Sequence, residues 1–287
     1  MTTVTFAHIT DLHVGAPGMQ DDHLYADTTA NLRAVLADIA AMDPAPSFVV
    51  ASGDLTNHGE PEAYEVLKAL MAEAGLSMPV LYTLGNHDRR DGFHRVMHGR
   101  TEGLDQPVDH AAVIDGVHVI LVDTSVPGRV GGHFEPGQLD RLAAELAAHP
   151  GVPKLLVMHH APALDADHPD LEWESLSFAD TELLRALLDG RRDVLGILSG
   201  HIHYDRVSHW HGIPVVVGIG QHAATDPLRL ASEFRMLAGA SFVVGTVRPS
   251  GLSVTFVPQP SDRRELKSAP IAALTALIRQ YEAAAAE

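Results

Sequence analysis

The chain is expected to fold as a layered α/β (α+β) domain with mixed β-sheets, and three observations carry that expectation. Short apolar, β-branched runs recur along the 287 residues and stop at a glycine or a polar cluster, as buried strands do. In the first half these runs alternate with helix-periodic segments, the pattern of strand–helix–strand units. In the second half strand follows strand more directly, which requires antiparallel pairing as well. No internal repeat or low-complexity linker is visible. One domain over residues 1–287 is therefore expected, with a core over 1–225 and a C-terminal hairpin and helix over 226–287.

Val4 to Thr10 is a β-rich run that leads straight into Asp11-Leu12-His13. His23 to Ala41 places Leu24, Leu32, Val35, Leu36 and Ile39 partly at helical spacing before Pro44 and Pro46 interrupt it. Ser47 to Ala51 is a second strand, ending in Ser52-Gly53-Asp54 with Asn57 just beyond. Pro61 to Ala74 predicts a helix, with proline near its first turn and Gly75 just past its end. Val80 to Leu84 is a strand that breaks into Gly85-Asn86-His87-Asp88. Val117 to Val122 and Lys154 to Met158 are strands, the second ending in His159-His160-Ala161-Pro162, with an amphipathic helix at Pro136 to Ala148 between them. Leu164 to Phe178 lacks a steady period and is expected to be a surface loop. A helix at Thr181 to Leu188 precedes the strand Val194 to Leu198, which ends in Ser199-Gly200-His201-Ile202-His203. Ile213 to Ile219 is a strand, Ser241 to Val247 and Leu252 to Val257 form a hairpin, and Ile271 to Ala286 is an Ala-rich helix suited to cover the core or to serve a homodimer.

Hydrophobic residues make up 46% and charged residues 20%, enough for a sizeable core. Acidic residues outnumber basic ones 37 to 20, a formal net charge of −17. Such a surface repels duplex nucleic acid and anionic membranes, whose binding depends on Lys and Arg. A small anionic substrate stays compatible, because bound cations reverse the local field. With no cysteine, disulfides, thiolate metal sites and a cysteine nucleophile are excluded. The N-terminus shows no signal-peptide pattern and no run is long enough to span a membrane, so a cytoplasmic location is expected.

The strand exits carry the chemistry. Asp11 and His13, Asp54, Asn86 and His87, His159 and His160, and His201 and His203 follow five separate apolar runs. A single histidine or aspartate after a strand is usually a solvated or turn-forming residue. Five coincident exits change that balance. The D-x-H and H-x-H spacings put both side chains on one side of an extended backbone. Without thiolates, the Asp/His/Asn set suits Fe, Mn, Zn or Co. Asp11, His13, Asp54, Asn86, His159, His201 and His203 are too many ligands for one ion and divide naturally between two that share a carboxylate. Two ions roughly 3.5–4 Å apart form a clamp for in-line displacement at phosphorus.

These blocks, D-x-H, G-D, G-N-H-D, H-H-x-P and G-H-x-H in that order, resemble the calcineurin-like metallophosphoesterases. Asp54-Leu-Thr-Asn57 and the segment after His222 extend the similarity toward the bacterial class III cyclic-nucleotide phosphodiesterases and the glycerophosphodiesterases. The resemblance implies a four-layer αββα sandwich with two mixed sheets and the site at their rim. It implies that Asp11, His13 and His203 hold one ion and Asn86, His159 and His201 the other, with Asp54 bridging. His87 would stand by the leaving-group oxygen or a phosphate oxygen, with Asp88 fixing its ring, and Asn57 would donate to a phosphate oxygen. His222 would reach the site from a later loop, a reading that includes contact across a dimer interface; by residue type alone it is an ordinary loop histidine. His160 receives no role.

The expected activity is hydrolysis of small phosphodiesters, of cyclic-nucleotide or glycerophosphodiester type, by metal-bound hydroxide. A phosphomonoesterase of the same superfamily would add arginine contacts, for which Arg89 and Arg90 are placed. A non-catalytic metal-binding scaffold would show eroded ligands, and none of the seven positions is eroded. Substrate choice is expected to lie in loops such as Pro127–Gly132 and Leu164–Phe178.

Overall fold

The computed structural model of the chain describes residues 3–228 and 233–285. Strands β1 (Val4–Ile9), β2 (Phe48–Ser52) and β3 (Val80–Thr83) run parallel, joined through helices α1 (Thr28–Ala40) and α2 (Pro61–Ala74), and a short α3 (Arg90–Val96) follows β3. A second parallel set is β5 (Val117–Val122), β6 (Lys154–Met158), β7 (Val194–Ser199) and β9 (Ile213–Val217), with α4 (Gln138–Ala147) and α5 (Phe178–Leu188) between its members. Antiparallel strands complete both sheets. β12 (Ser241–Arg248) pairs with β1 and then with β13 (Gly251–Pro258), while β4 (His110–Ile114) and β8 (Arg206–Trp210) form the edges of the second sheet. The strand orders are β13-β12-β1-β2-β3 and β4-β5-β6-β7-β9-β8. A small third sheet of β10 (Ala224–Thr225), β11 (Glu233–Leu237) and β14 (Glu265–Pro270) leads into α6 (Ile271–Ala285).

The layering follows from the period-two pattern of the strands. Phe6, Phe48 and Val50 pack with Val119, Leu121, Leu155, Val157 and Val216 in one cluster between the two sheets. Their sequence neighbours point the other way. Ala7, Ile9, Val49 and Ala51 meet Leu32, Leu36, Tyr64 and Leu67 of α1 and α2. Ile120, Val122, Leu156 and Met158 meet Leu142, Leu146 and Leu184 of α4 and α5. Three apolar interfaces between four layers make the expected αββα sandwich. Alternation that looks merely "apolar throughout" in the sequence is in fact burial on both faces.

Several boundaries differ from expectation. The first helix begins at Thr28, not His23, because Asp27 caps it by accepting from the amide of Ala30 at 2.9 Å. The Leu164–Phe178 segment contains a 3₁₀ turn at Pro169–Glu174, and α5 starts at Phe178 where Ser177 accepts from the Asp180 amide. The edge strands β4, β8 and β14, the middle strand β11 of the small sheet and the seven-residue α3 carry too short a pattern to stand out. Ala286, the expected last residue of the terminal helix, lies outside the described residues. A core ending near residue 225 does not hold: β12 sits inside the first sheet with β1, in register from Val4↔Val247 to His8↔Val243.

In that register Phe6 faces Gly245, and its ring stacks on Phe48 with centroids 5.2 Å apart. A Cβ at Gly245 would collide with the Phe6 ring. Gly245→Ala is therefore expected to destabilise the fold by about 1–3 kcal/mol, read as a lower urea midpoint with an unchanged slope.

Candidate metal centre

The C-terminal ends of β1, β2, β3, β6 and β7 converge at one rim, and the seven expected ligands follow those ends. The local backbone is not the extended one expected of D-x-H and H-x-H. Asp11, His13, His201 and His203 have φ of 48°, 43°, 76° and 52°, and Asp54 has 47°. Left-handed residues on either side of Leu12 and Ile202 bury those two apolar side chains while their polar neighbours turn back to the rim. Asp and His tolerate this conformation better than β-branched residues. Glycine is required at position 53, where φ is +105° and a Cβ would stand 2.6 Å from Nδ1 of His159.

Asp54 lies at the middle. Its Oδ2 is 3.2 Å from His159 Nε2 and 3.7 Å from His13 Nε2, one ring from each expected half of the site. Its Oδ1 accepts from the His87 amide at 2.9 Å. Asp11 accepts from the His201 amide at 3.0 Å, and its Oδ1 lies 3.4 Å from His203 Nε2. Ligand atoms of Asp11, Asp54 and His159 lie within 4.8 Å of one another, as do those of His13, Asp54 and His87.

The outer nitrogens show what the inner ones face. Nδ1 of His159 lies 2.9 Å from the Ser52 carbonyl, and Nδ1 of His203 lies 3.0 Å from that of Ala223. A carbonyl only accepts, so each Nδ1 carries its proton and Nε2 is the nitrogen turned toward a carboxylate. A proton on Nε2 satisfies that contact in the metal-free chain, and a bound cation would take the proton's place. His13 Nε2, His159 Nε2 and Asn86 Oδ1 are buried and have no hydrogen-bond partner, although buried polar atoms nearly always find one. The donor set fits a hard or borderline cation.

The carboxylates and the rings hold one another's charge. Burial alone would push Asp54 up, but the rings of His159, His87 and His13 hold its carboxyl well below the ordinary range. Burial opposes protonation of His159, yet the Asp54 and Asp11 carboxylates push it up to about 9. His203 is raised for the same reason by Asp11 and Asp54, against its burial. Burial and the neighbouring His159 bring His201 down to about 4, leaving it a neutral donor.

The contacts redraw two expected roles, those of Asp88 and Asn57. Asp88 does not reach the His87 ring: it accepts from the amides of Leu55, Thr56 and Gly85 at 2.9–3.0 Å and from the hydroxyls of Thr56 and Tyr64. It ties the β2 and β3 exits together. The His87 ring is oriented instead by Nδ1 against the Asn57 carbonyl at 2.9 Å. Asn57 is held by protein partners, since Nδ2 donates to Asp21 at 2.7 Å, while Oδ1 meets His13 Nδ1 at 3.2 Å. His222 reaches the site within its own chain, its ring 4.9 Å from that of His13 and its Nε2 accepting from the Tyr25 amide. Burial and the rings of His203 and His87 bring His222 down to about 3. His160 is spent on Thr124 and the Val130 carbonyl. Asp21, Tyr25 and Trp173, whose carbonyl receives His201 Nε2 at 2.8 Å, were not singled out, because each lies in a stretch without a motif.

The family model described as calcineurin-like phosphoesterase matches residues 4–205, which include all seven ligand positions. The chain belongs to the calcineurin-like phosphoesterase family. Within it, a probable cyclic nucleotide phosphodiesterase of Rhodococcus erythropolis is 36% identical over 73% of this chain and 68% of its own length. A cAMP/cGMP dual specificity phosphodiesterase of Mycobacterium tuberculosis is 33% identical over 73% of this chain and 65% of its own. The chain thus spans about two thirds of these relatives. Among solved structures, a purple acid phosphatase from yellow lupin seeds matches 94% of this calcineurin-like chain and 53% of its own with a TM-score of 0.63 at 14% identity, a likeness of fold. No helix among the described residues is long and apolar enough to cross a membrane.

Proposed function

We propose that this chain is a binuclear metal-dependent phosphodiesterase acting on small diesters of cyclic-nucleotide or glycerophosphodiester type. The carrying observation is the set of buried, unpartnered ligand atoms gathered around Asp54 beside an exposed His87. The relatives named above as cyclic nucleotide phosphodiesterases support the substrate class. Asp11, His13 and His203 would hold one ion, Asn86, His159 and His201 the other, and Asp54 would serve both. Bound there, two ions of Fe, Mn, Zn or Co supply a hydroxide nucleophile near neutral pH and neutralise the phosphoryl oxygens.

The protein's own part lies in His87. The Asn57 carbonyl holds Nδ1–H in either protonation state, so the ring keeps one orientation and a proton at Nε2 can pass to the departing alkoxide. A monoester site would recruit arginine beside the metals, and the two arginines that follow Asp88 are engaged elsewhere: Arg90 with Asp123, Glu135 and the carbonyls of Asp105 and Ser125, and Arg89 with Asp91, while Arg95 and Arg129 line the adjoining cavity. The diester reading is favoured.

Protein stripped with chelator and reloaded with Mn²⁺, Co²⁺, Zn²⁺ or Fe²⁺ is expected to turn over bis(p-nitrophenyl) phosphate far faster than p-nitrophenyl phosphate. Equal or inverted rates would refute the diester reading. His87→Ala is expected to cost about 10²–10⁴ in kcat while elemental analysis finds the metal retained. Loss of metal with that variant would assign His87 to the cage instead.

A further inference from the structure

A cavity of about 920 Å³ opens from the exposed side of the candidate centre, lined at one end by Asn86 and His87. Its far wall is the C-terminal helix, which presents Leu277, Ile278 and Tyr281 to it. Leu277 and Tyr281 are four residues apart on one helix face and are 60% and 57% exposed, so they face the cavity without an apolar partner. The helix is fastened in this position. The Val130 amide donates to Glu282 at 2.8 Å, and Arg279 pairs with Asp170. Those two contacts join α6 to both loops expected to select the substrate, around Pro127–Gly132 and Leu164–Phe178.

We infer that α6 is the specificity wall of the site, with Tyr281 and Leu277 receiving the flat heteroaromatic arm of a nucleotide-type phosphodiester. This rests on the diester reading for the phosphate end alone. Ligand pockets run to roughly 300–1,000 Å³, and this one is larger than a phosphate with two small alcohols needs. The surplus space is bounded by an aromatic ring and aliphatic side chains, surfaces on which a base gains by stacking and a glycerol gains little. Arg95 and Arg129 line the same cavity together with Asp88, Asp105 and the paired Arg89 and Asp91, so two basic side chains outside those pairs reach it in a protein of net charge −17. An anion bearing a flat apolar arm is the occupant that uses both features.

The test is made on the metal-loaded, full-length chain with Tyr281→Ala, Leu277→Ala and Tyr281→Phe. Calorimetric binding of adenosine 5′-monophosphate and the KM for 3′,5′-cyclic AMP should both weaken about 10-fold or more in the alanine variants, whereas Tyr281→Phe keeps the stacking ring and stays near wild type. The kcat values and the KM for glycerophosphoethanolamine should stay within about twofold. Unchanged nucleotide affinity, or an equal loss on both diesters, overturns the inference. So does a fall in oligomeric mass with nucleotide affinity intact, which would make this face a contact between copies. Should the wild type hydrolyse neither diester, the proposed activity falls while nucleotide binding that depends on Tyr281 still upholds the wall; no nucleotide binding fells both.

Discussion

Asp54→Ala is expected to dismantle the centre and to lower turnover of bis(p-nitrophenyl) phosphate by at least about 10³-fold, beyond what loss of one stabilising donor costs elsewhere. The size follows from position. One carboxylate faces His13 at 3.7 Å and His159 at 3.2 Å and also holds the His87 amide. Its removal takes the shared oxygen from both halves of the cage and frees the loop that presents His87. Removing a group outside the ligand shell typically costs 10–100-fold in metal affinity, so a central ligand should cost more. Elemental analysis of the purified variant should find the metal content sharply reduced. Retention of metal and turnover together would remove Asp54 from the centre and with it the two-ion reading.

The largest effect on stability is expected at Arg90. Its guanidinium lies 2.9 Å from Asp123 Oδ2 and 2.6 Å from Glu135, with the Arg90 side chain 7% exposed and that of Asp123 fully buried. Arg90→Met keeps the length of the side chain and leaves a buried carboxylate without its cation. The expected cost is about 3–5 kcal/mol, or a fall in Tm of roughly 10 °C by calorimetry. Adding Asp123→Asn should recover much of the loss, because the uncompensated charge then disappears. A single variant as stable as wild type would show that the amides of Val108 and Ser125, which also donate to Asp123, carry the carboxylate alone.

What was legible in the sequence was whatever a few neighbouring residues encode. Apolar runs ending in Asp54, Asn86, His159 or His201 could be read because strand and exit are adjacent, and the structure brings those exits to one rim. Asp88 could not be read. Its partners Leu55 and Thr56 are about thirty residues away, and the contact with the His87 ring is one that only the family resemblance implies. The contacts of Asn57 are equally hidden, since Asp21 comes from a loop with no pattern. The D-x-H spacing was interpreted with an extended backbone, whereas Asp11 and His13 adopt the left-handed region. The place of β12 between β1 and β13 is set by a long-range pairing that no local window contains.

Those left-handed residues have a consequence for the protein's lifetime. Asp11, His13, Asp54, His201 and His203 each sit in a conformation that costs a non-glycine residue on the order of 1 kcal/mol. Ions bound to the folded chain and not to the unfolded one repay this through mass action. Metal supply would then govern how long the molecule survives proteolysis in the cell as well as how fast it works. Scarcity would be felt first at this rim, as local opening of the strand exits before the sheets separate.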